Sequence, residues 1–436
     1  MPCVRSQSLI CEIIIFCPKT WSFFHLSMPL WSSSTLAVLS NACLAHLTAA
    51  FAWAFVPPSR LMRYPFVLIQ LVFVHRAIIS SRGISAYLGN QISTYLCGYA
   101  LYSHYYFIVN RETEPPANSS LDRLSNLGTF LFSPRRNLPA RRIPSFSSSD
   151  PNYVPSRRAF LFAGIGKVFI GLIFLYYHTY LNLYTHVSDY GPPHDRLLSR
   201  LLPFFLQNSD DKITVIECIL RAHSALTILI AEYSLHNLVY TSASILGVGL
   251  LGHSPSQWPP IYGPLKEAYT IRRFYGIFYH NIMRNAFIGN AAWIVDSFLL
   301  WVSHSTIISR IISSRIRDIR RGLINLVALV ICGIMHSVAI FTIDSCPRDS
   351  QMRYYFYIFI GMLTEDSIFW LFKRLHLRHL HRDRIGVYLR FWGYLWVFLF
   401  HCWMIPNSLY PDIYCDMMLR IAKYKAQSQE GFSTHF

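Results

Sequence analysis

Apolar residues in this chain are bunched into long uncharged runs. Ser33 to Ser59 holds no Lys, Arg, Asp or Glu, and neither does Gly322 to Ile343. Each run is long enough to cross a hydrocarbon layer of about 30 Å as a helix. In lipid every backbone amide must be bonded within its own segment, so these runs are expected to be helical. Apolar segments fall near 9–28, 33–57, 64–80, 86–109, 159–183, 214–230, 233–251, 286–308, 322–343, 354–372 and 391–410. Several are short or carry polar residues, which predicts an all-α, polytopic integral membrane protein with about 8–10 spans.

The pattern breaks between about 111 and 158, where Pro, Ser and Arg replace the apolar runs. Such a stretch predicts a loop with little fixed structure. It divides an N-terminal helix group (1–110) from a larger group (159–412), which a tail (413–436) follows. A second polar stretch, 252–285, mixes Trp, Tyr, Phe and Ile with its Arg residues. It reads as an ordered interfacial segment.

Composition sharpens the membrane assignment: the chain is 53% hydrophobic and only 14% charged, against about a quarter charged in soluble domains. The net charge of +17 does not point to nucleic acid. Arg and Lys sit in short clusters between apolar runs, as at Arg135-Arg136, Arg141-Arg142 and Arg157-Arg158. That is the positive-inside bias of cytoplasmic loops, and it predicts that 111–158 and His376 to Arg384 face the cytosol. A cationic face would also attract an anionic cofactor such as coenzyme A. The ten Cys are scattered without a CxxC, so neither a disulfide framework nor a zinc site is expected. The N-terminus lacks a clear basic region before Leu9 to Cys17, which reads as part of a weak first segment.

Within the otherwise apolar Gly322 to Ile343 run lies Cys332-Gly333-Ile334-Met335-His336. An imidazole at membrane depth needs a partner or a water-filled cavity, and the small pair before it lets another helix or a ligand approach closely. His336 is either a general base, accepting a proton from an alcohol, or a structural residue bonded to a neighbouring helix. The earlier stretch reads Trp258-Pro259-Pro260-Ile261-Tyr262-Gly263, then Tyr269 to Asn281. Pro259-Pro260 cannot continue a helix, and Gly263 permits a turn. Phe274, Ile277, Phe278 and Asn281 have i, i+3, i+4, i+7 spacing, which by periodicity alone favours an amphipathic helix lying at the interface. Arg272, Arg273 and Arg284 would then meet headgroups or bind phosphates.

These two stretches resemble the fungal branch of the wax synthase-like membrane-bound O-acyltransferases. That family carries a Pro-Pro-aromatic-Gly turn followed by Leu-Arg-Asp/Arg-Phe-Trp-Gly-x-x-Trp-His/Asn, matched here by Pro259 to Gly263 and Ile271 to His280. Its Ser-Gly-x-x-His motif is matched by Cys332 to His336. Weaker matches are Arg82-Gly83-Ile84, Glu365-Asp366 opening an apolar helix that ends at Lys373-Arg374, and Gly393 to Val397 ahead of Trp403 and Pro406. The five elements keep their order from about residue 80 to 410. Both family Trp positions are Tyr here, Tyr275 and Tyr279. Ile277 stands where Arg is common, and Cys332 where Ser is usual.

The resemblance implies an acyl-CoA:alcohol O-acyltransferase of the endoplasmic reticulum or a related membrane. His336 is implied as catalytic base and His280 as the second essential polar residue. Arg272, Arg273, Asn281 and Arg284 are the implied contacts to acyl-CoA. No permanently bound cofactor or metal is expected; acetyl-CoA or another acyl-CoA is the co-substrate, and the acceptor is a lipophilic alcohol, preferably a terpenoid or meroterpenoid intermediate. A thioester is already activated, so a base acting on the acceptor suffices, and no GxSxG nucleophile motif is present. Long-chain wax ester synthesis is the alternative within the family. A multi-pass transporter with His236, Asp296 and His336 along its path is the rival class, but no duplicated half supports it. His376, His379 and His381 suggest a metal oxidase far less than a basic loop, because further spaced histidine boxes are missing. No helix carries Asp at the spacing a prenyltransferase needs for diphosphate-bound Mg²⁺. Asn118-Ser119-Ser120 is a formal sequon, unused if its loop is cytosolic.

Overall fold

The computed structural model describes residues 33–81, 86–110, 153–182, 187–191, 214–279, 283–303, 316–340, 349–374 and 384–433, with Phe146 and Asp150. Every long element among them is a helix: α1 (Ser33–Phe55), α2 (Arg60–Ser81), α3 (Ala86–His104), α4 (Arg157–Asn182), α5 (Val215–Gly249), α6 (Arg284–Ser303), α7 (Ile316–Ile340), α8 (Ser350–Arg374) and α9 (Arg384–Ser433). Six are long and apolar enough to cross a membrane: α1, α2, α4 over Arg157–Tyr177, and α6, α7 and α8. Among the described residues α3, α5 and α9 are also long, but six helices combine the length and the apolarity to cross a membrane. At 50 residues α9 is roughly 75 Å long, so it extends well past a bilayer and runs through the C-terminal tail. The 9–28 segment, the Arg82 element, most of the 111–158 loop and the His376–His381 cluster lie outside the described residues.

The helices close around two cores. One joins α1, α2 and α3 through Ala49, Ala52, Trp53, Val67 and Tyr102, with a neighbouring patch of Ala45, Val74, Ala77 and Leu96. The larger one gathers α5 to α9 around Ile271, Phe274, Tyr275, Met335, Ile358 and Met404. α3 connects them, packing on α2 on one side and on α6 and α7 on the other.

Two expectations change. Cys415 is disulfide-bonded, although the scattered cysteines suggested no pairing; pairing is decided by the packing of the folded chain, which spacing does not carry. Glu365 and Asp366 do not open a helix. They lie deep inside α8, which starts at Ser350, because aromatic Tyr354 to Phe359 continues the helix where the charge pattern suggested a start.

Candidate functional site

The segment expected to lie along the interface turns one face into the bundle. Ile271 is 0% exposed, and Phe274 and Tyr275 belong to the larger core. Thr270 caps its start by accepting from Arg273 N, and after one turn the chain becomes a π-helix over Phe274–Tyr279. The widened turn explains why the 3.6-residue spacing misled: in a π-helix i and i+5 share a face. Phe274 and Tyr279 accordingly stack, with ring centroids 5.6 Å apart and 14° between planes.

Three contacts hold this segment in the bundle. Glu365 accepts from the Ile271 amide at 2.5 Å and the Arg272 amide at 3.1 Å, while also accepting from Trp396 Nε1 at 3.0 Å. A carboxylate on free helical amides is the charge-assisted form of an N-terminal cap. Gly263 donates to the Phe278 carbonyl at 3.0 Å, and a Cβ at Gly263 would collide with the Ile277 carbonyl oxygen. Gly393 is equally pressed on the Tyr269 carbonyl. The glycine of the Pro-Pro turn is therefore required by close backbone approach rather than by its dihedral angles.

His336 sits on α7, 20 residues past its start at Ile316, well beyond the helix centre. Its ring stacks on Tyr355 of α8 at 5.4 Å, and His236 of α5 is among its electrostatic neighbours. One turn earlier Cys332 is buried and hydrogen-bonded to Tyr355. Gly333 lets α8 close in, since a Cβ there would press on Met352. Around them converge Tyr275 and Tyr279 from the π-helix, Tyr354 from α8, and His236, bonded to the Tyr262 hydroxyl at 2.9 Å. Sequence reading missed one further member. His401 of α9 is 0% exposed and bonds the Tyr275 hydroxyl at 3.0 Å. An uncharged histidine in an apolar run was visible in the sequence, but no motif singled it out.

The other expected residues separate. His280 and Asn281 lie outside the described residues. Arg272 is ion-paired with Asp366, and Arg273 with Glu267 while lying over the Tyr269 ring at 4.7 Å. Arg284 donates to the Gly276 carbonyl, bracing the middle of the π-helix. Asp296, considered for a transport path, is clamped by Arg320 at 2.6 and 2.7 Å. It borders a cavity of about 460 Å³ lined also by Arg60, Tyr105, Gly289 and Trp293. No lining residue of that cavity belongs to the histidine cluster.

Histidines and tyrosine hydroxyls gather inside this helix bundle, and a proton acceptor among such groups can activate a hydroxyl. Residues 258–360 match the Membrane bound O-acyl transferase family, a stretch that contains Gly263, Glu267, Ile271 to Tyr279, His336 and Tyr354. The chain is 23% identical over 322 residues to the acetyltransferase fsoF of Humicola fuscoatra, covering 70% of this chain and 72% of that protein. It is 26% identical over 175 residues to the acetyltransferase atnC of Arthrinium (40% of this chain, 37% of that one). It is 30% identical over 158 residues to the O-Mevalon transferase yanI of Aspergillus niger (34% of each chain). No solved structure matches the chain. The match to the Membrane bound O-acyl transferase family covers about a quarter of the chain, and together with the acetyltransferases that the chain is similar to it points to an acyl donor and an alcohol acceptor.

Proposed function

We propose that the protein transfers an acetyl group from acetyl-CoA to a hydroxyl of a lipophilic alcohol, a terpenoid or meroterpenoid intermediate of secondary metabolism, in the endoplasmic reticulum membrane. The observation that carries this reading is His336, half-buried among hydroxyls in a membrane helix, within the stretch that matches the family. The names of the acetyltransferases it is similar to support the acetyl donor. His336 takes the proton of the acceptor hydroxyl as that oxygen bonds to the thioester carbonyl carbon. The tetrahedral oxyanion is met by a hydrogen bond, the role assigned to His280. Collapse breaks the carbon–sulfur bond, and the thiolate leaves with the proton held by His336. Arg272, Arg273, Asn281 and Arg284 are assigned to the coenzyme A end. Arg272 is 41% exposed, and its surface pair with Asp366 can exchange for a phosphate at little cost.

Orientation follows from two independent signals. Arg374 and Arg384 end α8 and begin α9, placing that end in the cytosol. Further along α9 lies Cys415, which is disulfide-bonded and so belongs in an oxidising lumen. Incubating the protein in detergent with labelled acetyl-CoA or palmitoyl-CoA and a panel of polycyclic alcohols tests the whole reading. Acetyl ester and free thiol are expected in equal amounts. Preference for palmitoyl-CoA would convert the reading to wax ester synthesis, and substrate flux in liposomes without thiol release would overturn it.

A further inference from the structure

Three side chains beside His336, two of them buried, form a hydrogen-bond chain whose direction is determined by chemistry. His401 Nδ1 lies 2.7 Å from the Val397 carbonyl oxygen. A carbonyl only accepts, so Nδ1 carries the proton and donates. A neutral ring that donates from Nδ1 has only the lone pair of Nε2 left, and a charged ring at 0% exposure among Phe274, Tyr275 and Phe400 would be far costlier to bury. The Tyr275 hydroxyl, 3.0 Å from Nε2, must therefore donate to His401. Its oxygen also lies 2.8 Å from the Tyr354 hydroxyl. With the Tyr275 proton already used, Tyr354 is the donor of that bond.

The consequence falls on Tyr354. Its proton is spent inside the chain, so its oxygen can meet a ligand only as a hydrogen-bond acceptor. Tyr275 and His401 are buried, whereas Tyr354 keeps part of its surface accessible. Cys332 and Glu232 are among its electrostatic neighbours. The rings of Tyr354, Tyr355 and His336 follow one another at 5.1 and 5.4 Å, which puts the Tyr354 oxygen in the same cluster as the base. The reacting hydroxyl has one proton, and it goes to His336. An acceptor oxygen nearby is useful only to a second donor on the same ligand.

We propose that the His401–Tyr275–Tyr354 chain is a specificity device that selects an acceptor alcohol bearing a second O–H or N–H besides the hydroxyl that is acylated, with Tyr354 touching that group and His401 positioning it through Tyr275. The preferred substrate is thus a polyol rather than a simple lipophilic alcohol. The hydroxyl in the middle of the chain exists because residue 275 is Tyr. This inference rests on the O-acyltransferase reading given above.

The test uses the full chain in detergent, acetyl-CoA, and matched pairs of polycyclic diols and mono-ols of the same skeleton. The wild type is expected to favour the diol by about tenfold in kcat/KM, the worth of one buried hydrogen bond. Tyr354→Phe and Tyr275→Phe, which remove only a hydroxyl, are expected to lose that preference by raising KM for the diol while leaving KM for acetyl-CoA unchanged. His401→Leu should do the same, and His401→Gln should restore the preference, since its carbonyl oxygen can accept from Tyr275. A merely structural chain would lower activity on both alcohols alike, and that result overturns the proposal. Equal use of diol and mono-ol by the wild type also overturns it, as does a rise in KM for acetyl-CoA alone. If the wild type forms no ester from any alcohol, the acyltransfer reading fails instead.

Discussion

Ala45, Ala49, Ala52 and Ala77 let the first two helices close together beside Trp53, Leu96 and Tyr102, whereas α7, α8 and α9 meet the π-helix through tyrosine and histidine rings. Both regions contain buried polar groups, but they use them differently. In the N-terminal group Arg63 is 1% exposed, with Nε and Nη2 both donating to the Val56 carbonyl. Gln70 is spent on Ser103 at 3.0 Å. These bonds are local glue between helices that lack a hydrophobic driving force within lipid. In the C-terminal group His336, Tyr279 and Tyr354 retain accessible surface. Polar groups closed on one another hold the bundle together, and polar groups left partly open are available to a ligand.

That contrast predicts that damage in the two regions will read out differently. The largest effect is expected at His336→Ala, which should reduce ester formation about 10² to 10⁴-fold while the protein still inserts and folds. Thiol release against the amount of folded protein measures this. Near-normal turnover would remove His336 from the role of base. Next comes Gly263→Ala. The new methyl group meets the Ile277 carbonyl, and backbone cannot step aside as a side chain can, so both turnover and melting temperature should fall. Retained activity would show that the π-helix need not be held as seen.

Ala45→Leu is the counterpart in the N-terminal group. Overpacking a site that is 0% exposed should cost about 1–3 kcal/mol, lowering the melting temperature while the surviving protein keeps its kcat. A loss of kcat without loss of stability would break the division between the two regions. The smallest expected effect is within α9, at Asp412. Asp412 accepts from Ser350, and burial pushes its carboxyl up to about 6. The folded state thus binds this proton more tightly than the unfolded chain, whose carboxyl titrates near the ordinary carboxylate value. The sign follows: this contribution is full below about 4 and is lost as pH rises through about 6. Melting temperatures at pH 5 and pH 7.5 should differ less in Asp412→Asn than in the wild type, and an unchanged difference would remove Asp412 as its source.

The uncharged runs of the chain determined where helices form. The run from Ser33 becomes α1 (Ser33–Phe55), and the segment expected over 354–372 lies within α8 (Ser350–Arg374). Hydrophobicity over some twenty residues is a local property, and in lipid it leaves the backbone no alternative to a helix. Residue order also singled out His336 and Gly263. Only the tertiary structure decided what each polar side chain does. The same Arg-and-aromatic pattern at 271–279 suits an interface or an interior, and the choice was made by Glu365, more than ninety residues away, capping the segment inside the bundle. The role of His401 likewise depends on Tyr275, 126 positions earlier. Periodicity reports which face of a helix is apolar, but a buried polar atom is defined by its partner, and these partners come together only when the helices pack.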